Sequence, residues 1–206
     1  MKTIVSPYKG LPPTAWLGKT RQLIAEHPLE PDEIVEVVNE SWNAIFSSSI
    51  GTKPFRIGVD LFPKPQIMGF FLHELIPLEF QRRYPTLWRA ENCASDKDLV
   101  YVMNEKMSVE IKTSSHPTKI FGNRSYAQET RTSRGEKKSR SGFYIAVNFG
   151  KFTKGGKQPS ILRVRFGWLD AADWRGQAAA TGQQASLGSG VEKAKLVQLF
   201  PKENAI

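Results

Sequence analysis

Three side chains able to bind a metal ion and to act on water fall close together in the middle of this sequence. Asp98 opens an apolar run, Glu110 follows twelve residues later, and Lys112 comes next but one. β-Branched and aromatic residues flank the polar sequence Asn104-Glu105-Lys106, a pattern that predicts a β-hairpin. Strand alternation projects Glu110 and Lys112 to one face, and closing the hairpin brings Asp98 opposite the segment around Ile111, within about one residue of register. Two carboxylates and an ammonium group are therefore expected to converge.

Such a cluster has a chemical use. Neighbouring carboxylates repel each other, and a hard divalent cation such as Mg²⁺ relieves the repulsion. The cation lowers the pKa of a bound water and stabilises charge on a phosphodiester, while Lys112 orients the water or offsets transition-state charge. The alternative is a solvated strand face with a weak cross-strand ion pair, the more common role of Asp, Glu and Lys in hairpins.

The spacing of Asp98, Glu110 and Lys112 resembles the Asp…Glu-x-Lys signature of the PD-(D/E)XK nuclease superfamily. Lys97 stands where that pattern has a proline, which leaves Asp96 as an alternative to Asp98. The apolar strand begins directly after Asp98, which favours Asp98. Further stretches are similar to the ScaI-type group of type II restriction endonucleases, over roughly residues 50 to 200: GFFLHELIPL (69–78), FGNRSY (121–126), FGWLD (166–170) with DW (173–174), and TGQQA (181–185).

The resemblance implies an α/β fold, a mixed central β-sheet flanked by helices with a restriction-endonuclease-like core. It implies a Mg²⁺-dependent enzyme, with Mn²⁺ as a substitute, that cuts duplex DNA at a short palindromic site and leaves 5′-phosphate and 3′-hydroxyl ends. Asp98 and Glu110 would hold the metal, and Lys112 would position the attacking water. A homodimer is expected, because a palindrome with two scissile strands matches two-fold symmetry. Two alternatives remain open: a junction-resolving or repair nuclease of the same superfamily, and a basic DNA-binding protein without catalysis.

A helix predicted from Gln66 supplies another candidate acid. Four apolar residues on a 3.6-residue period define its expected buried face: Ile67, Phe71, Leu75 and Leu78. Glu74 falls on that face, where a carboxylate is costly unless a metal ion, a lysine or an arginine pairs with it. The resemblance supports Glu74 as an auxiliary metal-site acid, with Glu79 as second choice. His73 is expected to be structural or exposed.

The net charge of +9 is concentrated in one region. Residues 112–165 contain thirteen Lys or Arg against two acids, so this region carries +11 and the rest of the chain −2. A basic surface of this kind attracts a polyanion, and counterion release from duplex DNA would supply much of the affinity. A solvated basic face is the alternative.

The segment from His116 to Gly142 is too long and too poor in core residues for an ordinary connection, which predicts a disordered or a functional segment. Its residue types suit base reading, and the resemblance places it like the recognition loop of EcoRV-like enzymes; the base-reading candidates are Asn123, Arg124, Ser125, Tyr126 and Gln128. Expected phosphate contacts follow at Arg131, Lys137, Lys138 and Arg140, and at a hairpin tip with Lys151 and Lys154. An incidental polar turn is the alternative for the first group.

The chain of 206 residues suits a single nuclease domain, residues 1–206, with a helical N-terminal lobe at about 14–46 used for packing or dimerisation. Two buried strands are expected at 143–149 and 160–168, with Arg163 and Arg165 facing outward; Asn148 would face DNA or be a buried amide. One cysteine excludes an intramolecular disulfide, and the sequence contains no long apolar run for a membrane span and no signal-peptide core. These features favour a cytoplasmic protein.

Overall fold

The predicted hairpin lies in the middle of the main sheet of this computed structural model, which describes residues 5–123, 139–153, 156–178 and 183–202. The helices are α1 (Trp16–Ala25), α2 (Pro31–Ser47), α3 (Pro65–Arg83) and α4 (Ser189–Lys195). The strands are β1 (Ser49–Ile50), β2 (Phe55–Arg56), β3 (Trp88–Ala90), β4 (Leu99–Tyr101), β5 (Val109–Ser114), β6 (Phe121–Asn123), β7 (Gly142–Phe149), β8 (Ile161–Leu169), β9 (Trp174–Gly176), β10 (Gln184–Leu187) and β11 (Val197–Phe200). No helix in these ranges has both the length and the apolar character that crossing a bilayer requires.

The main sheet of the described residues has the strand order β11-β8-β7-β5-β4-β3. β5 and β7 run parallel, with Glu110 opposite Tyr144, whereas the other neighbouring strands are antiparallel. The sheet is therefore mixed and helices flank it, which confirms the predicted fold class. A second sheet of the order β6-β10-β9 and a short β1-β2 pair complete the strands of these residues.

The β4–β5 hairpin forms as predicted. A 3₁₀ turn at Glu105–Met107 joins the strands, and Asn104 Oδ1 accepts a hydrogen bond from the Lys106 amide at its start. Leu99 is the Cα partner of Val109, so the residue before Leu99 reaches the strand near Ile111.

The two faces of the sheet bury different sets of residues. On one face Val109 and Ile111 join the core formed with the helices. On the other face Tyr144 and Ala146 pack with residues of the second sheet. Glu110, the Cα partner of Tyr144, alternates with Val109 and Ile111 and so faces the second side.

The apolar stripe predicted for α2 is confirmed. Ile34, Val38, Trp42 and Ile45 are at most 3% exposed, and α2 contacts α3, β8 and β11. This stripe is therefore used for packing within the chain.

The predicted buried face of α3 was wrong in part, since Phe71 and Leu75 are partly buried against the core but do not form its fully buried row. The buried row is Met68, Leu72, Ile76 and Phe80, whereas Ile67 and Leu78 are about half exposed. Large apolar residues occur on nearly every side of this helix, so periodicity alone does not select the side that faces the sheet. α3 approaches β5 at Gly69, where a Cβ atom would lie 2.7 Å from Thr113 Oγ1.

A buried histidine joins the α1–α2 connection to the hairpin. His27 Nε2 donates to the Met107 carbonyl at 2.8 Å, and its Nδ1 accepts from the Leu29 amide at 3.1 Å. The ring packs against Phe143 and Phe166. Burial lowers the pKa of His27 to about 4, because a charged imidazolium would lose its water and the bond to Leu29.

We expect His27 to make the protein less stable in mild acid. Between pH 6.5 and about 4, the unfolded chain binds a proton at His27 that the native state does not bind, so the free energy of unfolding falls as the pH falls. A shift of this size corresponds to about 3 kcal/mol, and the contribution is constant above pH 6.5. Urea unfolding of the wild type and of His27→Gln at several pH values measures it. His27→Gln should lose this part of the pH dependence of the free energy of unfolding. If the variant and the wild type show the same dependence over this pH range, this role of His27 is contradicted.

Candidate active site

The hairpin holds Asp98 against the strand that carries Glu110 and Lys112. Asp98 lies directly before β4, and its buried Oδ2 accepts a hydrogen bond of 2.6 Å from the backbone N–H of Ile111. Ile111 separates Glu110 from Lys112 in β5. The structure thus brings the predicted acid to the backbone between the other two residues.

Glu110 is only 3% exposed, and an ammonium group lies beside each of its carboxylate oxygens. Lys112 Nζ donates to Oε1 at 2.7 Å, and Lys97 Nζ lies 3.7 Å from Oε2. A buried carboxylate remains ionised only where positive charge and hydrogen bonds replace the water it has lost. Lys97, for which the sequence predicted no role, is therefore part of this cluster.

The ammonium of Lys112 marks a position at which a cation fits. It donates to Glu110 Oε1 and, at 3.2 Å, to the carbonyl of Ile111. Carboxylate and carbonyl oxygens are the donors that Mg²⁺, Mn²⁺ and Ca²⁺ prefer. Within the described residues no three His, Cys, Asp or Glu side chains form a metal-binding group. Glu110 Oε1 and the Ile111 carbonyl, which hold this ammonium, are donors of the type that a divalent ion binds, and Asp98 is hydrogen-bonded to the amide of the same Ile111.

The geometry also favours Asp98 over Asp96. Asp96 Oδ2 accepts from Arg89 Nη1 at 2.7 Å and from the Asn92 amide at 2.9 Å. The hydrogen bond from Arg89 holds the pKa of Asp96 well below its usual range. The Asp96 carboxylate thus binds residues in and beside the loop after β3, whereas the Asp98 carboxylate binds β5.

His73 approaches Asp98 from α3. Its Nδ1 lies 3.8 Å from Asp98 Oδ2, and one third of the side chain is exposed. The sequence did not predict a place for His73 at the site. The predicted buried face of α3 contained Glu74, and it turned His73, about 100° around the helix, away from the sheet. Once Leu72 and Ile76 are known to face the sheet, His73 borders the site.

A cleft of about 660 Å³ opens beside His73. α3 contributes His73 and Glu74, the last residue of β5 and the two residues after it contribute 114–116, and Lys151 and Gln184 also line the cleft. Glu74 is exposed in this cleft and not buried on an apolar face, so the burial argument for it was wrong.

Comparison with known proteins identifies the family. The family model of the ScaI restriction endonuclease matches residues 6–200. A curated relative, type II restriction enzyme ScaI of Streptomyces caespitosus, is 47% identical over 199 residues, which cover 96% of this chain and 86% of the relative. This chain belongs to the ScaI restriction endonuclease family. The predicted resemblance is confirmed, and type II restriction enzymes generally require a divalent metal ion.

The DNA-contacting residues predicted for this ScaI-family chain are only partly described. Asn123 is exposed at the end of β6 as the Cα partner of Gln184, and Lys151 lines the cleft. Arg140 is partly buried at the start of the next described stretch. The remaining predictions lie outside the described residues: Arg124, Ser125, Tyr126, Gln128, Arg131, Lys137, Lys138 and Lys154.

Glu79, the second choice for an auxiliary acid, is engaged elsewhere. Arg82 and Arg83 both donate hydrogen bonds to its carboxylate. Arg83 Nη2 also donates to Glu40 Oε2 of α2 at 2.6 Å. Hydrogen bonds from Arg82 and then Arg83 lower the pKa of Glu79 to about 2. This network joins α3 to α2, which leaves Glu74 as the acid of α3 that faces the cleft.

A buried polar network supports the loop that leads from β5 to β6. Arg165 is 4% exposed, which shows that the predicted outward direction was wrong. Its Nη1 lies 3.1 Å from Glu192 Oε1, and its Nη2 donates to Asn148 Oδ1 at 2.9 Å. The same three side chains bind backbone carbonyls and an amide of residues 116–120. The sheet is covered on both faces, so Arg165 takes its charge partner inside the protein, and Asn148 is the buried amide of the two roles considered.

We expect Arg165→Met to lower the free energy of unfolding by about 3–5 kcal/mol, because the buried Glu192 loses its charge partner. Arg163→Met is the matched control, since Arg163 lies on the same strand but is partly exposed, and it should cost under about 1 kcal/mol. Denaturant unfolding measures both variants. Adding Glu192→Gln to Arg165→Met should recover part of the loss; strictly additive losses would contradict a coupled pair.

Proposed function

We propose that this protein is a type II restriction endonuclease that uses Mg²⁺, with Mn²⁺ as a substitute, to hydrolyse both strands of duplex DNA at a short palindromic site. The observation that carries the proposal is the Lys112 ammonium held by Glu110 and the Ile111 carbonyl, on the strand whose Ile111 amide binds Asp98. Membership of the ScaI family supports the same activity.

Asp98, Glu110 and the Ile111 carbonyl would hold the ion, and the β4–β5 hairpin fixes the backbone positions of these three residues. When bound, a divalent ion supplies Lewis-acid stabilisation of the phosphodiester and a more acidic water. Lys112 would then release Glu110 Oε1 and donate to the attacking water. The water oxygen would bond to phosphorus as the bond to O3′ breaks; the water would give up a proton to solvent and O3′ would take one, which gives 5′-phosphate and 3′-hydroxyl ends.

The cleft between α3 and β10 is the proposed path of the DNA backbone. Lys151 supplies positive charge there, and the wider region of residues 112–165 carries +11. Asn123 at the end of β6 would read base edges together with the predicted Arg124, Ser125, Tyr126 and Gln128. Glu74 would face DNA phosphates across this cleft, an arrangement that is unfavourable unless a cation lies between them, so we assign it the auxiliary metal-site role.

The proposal includes a homodimer, because two-fold symmetry places one active site on each strand of a palindrome. The apolar stripe of α2 is buried within the chain, so it does not supply the interface. Large exposed apolar side chains instead concentrate between β1 and the start of α3, where Ile50, Phe55, Phe62 and Phe70 are each at least 54% exposed. We propose a second copy of this chain as their partner.

We also propose that the protein works in the cytoplasm, where its DNA substrate is. Its one cysteine, Cys93, is a free exposed thiol, which suits a reducing compartment.

Lys112→Met tests the proposal. We expect the wild type to cut long mixed-sequence DNA with Mg²⁺ into discrete fragments whose sequenced ends share one palindrome. Lys112→Met should cut about 10²–10³-fold more slowly, because the water loses its positioning donor, while DNA affinity in Ca²⁺ changes by less than about threefold. Lys119→Met is the matched control, an exposed lysine seven residues along the chain.

Three results would contradict the proposal. A smear of ends would indicate an unspecific nuclease, and preference for branched over linear DNA would indicate a junction-resolving enzyme. Full activity of Lys112→Met would remove the lysine from the mechanism.

A further inference from the structure

Lys97 is the second lysine of the site and occupies the position where the superfamily pattern has a proline. Its side chain is 11% exposed, which is unusual for a lysine. Nζ donates to the Ser139 carbonyl, lies 3.7 Å from Glu110 Oε2 and stands 5.3 Å from the centre of the Tyr144 ring. Lys97 and Lys112 thus approach the two oxygens of one carboxylate.

The surroundings make room for this ammonium. Gly142 begins β7 with a φ of +151°, and a Cβ atom there would lie 3.3 Å from Lys97 Cε and 3.4 Å from Nζ. Any larger residue at position 142 would press on the lysine. A buried cation is costly unless it is paired. Here the Lys97 ammonium is stabilised by Glu110, the Ser139 carbonyl and the face of the Tyr144 ring.

Lys97 also contacts the backbone shortly before β7, next to one of the predicted phosphate contacts. The Ser139 carbonyl accepts from Lys97, and the Arg140 carbonyl accepts from the Tyr144 hydroxyl at 2.6 Å. Arg140 is one of the predicted phosphate contacts, and the chain passes from it into β7 beside Glu110. One side chain therefore lies against both the carboxylate proposed to bind the metal and the backbone of a stretch predicted to contact DNA.

We propose that Lys97 is a positioning residue for cleavage: it orients Glu110 through Oε2, ties it to the Ser139–Gly142 segment, and opposes divalent-ion binding until DNA is present. This inference rests on the proposed function. The positive charge repels a divalent ion on the other side of Glu110, at a distance where screening inside the protein is weak. Negative phosphates at Arg140 offset that charge, so the ion and the DNA bind most tightly together.

Whether removal of Lys97 raises or lowers the affinity for a divalent ion distinguishes this role from a purely structural one. Removing a merely structural lysine would loosen the site, so that ion affinity and cleavage both fall. Removing a charge that competes with the ion should raise ion affinity while cleavage falls, because Glu110 loses its orientation.

The test compares Lys97→Met and Lys97→Arg with Lys106→Met, an exposed lysine of the hairpin turn as control. Without DNA, calorimetric titration with Ca²⁺ should show about tenfold tighter binding by Lys97→Met than by the wild type. Lys97→Arg and the control should bind Ca²⁺ with wild-type affinity. Single-turnover cleavage with Mg²⁺ should be at least about tenfold slower for Lys97→Met and partly restored in Lys97→Arg.

Equal or weaker Ca²⁺ binding by Lys97→Met would overturn the inference, as would cleavage at the rate of Lys106→Met. If Lys97→Met does not fold, Lys97→Gln keeps a hydrogen-bond donor without charge and is expected to give the same two changes. If the wild type cuts no DNA, the proposed function fails, whereas the Ca²⁺ comparison still decides whether Lys97 opposes the ion.

Discussion

The hydrogen bond from the Ile111 amide to Asp98 Oδ2 is the contact on which the geometry of the site depends. β4 and β5 share one described Cα pair, Leu99 with Val109, so strand pairing alone fixes the hairpin weakly. The buried 2.6 Å bond adds a charged acceptor to that pairing and sets the position of Asp98 relative to Glu110 and Lys112. A hydrogen bond to a charged group contributes about 1.5–3 kcal/mol, enough to select one register. The parallel pairing of β5 with β7 then holds the second strand rigid.

Charge balance around Glu110 explains how the site tolerates burial before any ion binds. Two lysines approach its oxygens, while Asp98 is held by a backbone amide with His73 nearby. Adding a divalent ion to this balanced cluster requires a lysine to move or an anion to arrive. A DNA phosphate is such an anion, so binding of metal and of substrate are expected to support each other.

The predictions that succeeded depend on residues close together in sequence. The hairpin, the common face of Glu110 and Lys112, the approach of Asp98 to Ile111 and the stripe of α2 all follow from local periodicity and turn composition. The face of α3, the burial of Arg165 and the approach of His73 and Lys97 depend on long-range packing. The second sheet, for instance, covers the face to which Arg165 turns, and β7 must pair with β5 before Tyr144 and Ser139 meet Lys97. The sequence does show a lysine where the superfamily pattern has a proline, but the contacts of Lys97 with Glu110, Ser139 and Tyr144 depend on that packing.

We propose that Asp98, Glu110 and the Ile111 carbonyl bind one divalent ion in exchange for the Lys112 ammonium. The most direct measurement is anomalous diffraction from crystals of the protein grown with DNA and Mn²⁺. We predict an Mn²⁺ peak within about 2.2 Å of oxygens from these three residues, with Lys112 Nζ moved away from Glu110 Oε1. An Mn²⁺ ion bound elsewhere on the protein, with Lys112 still on Glu110, would contradict this proposal.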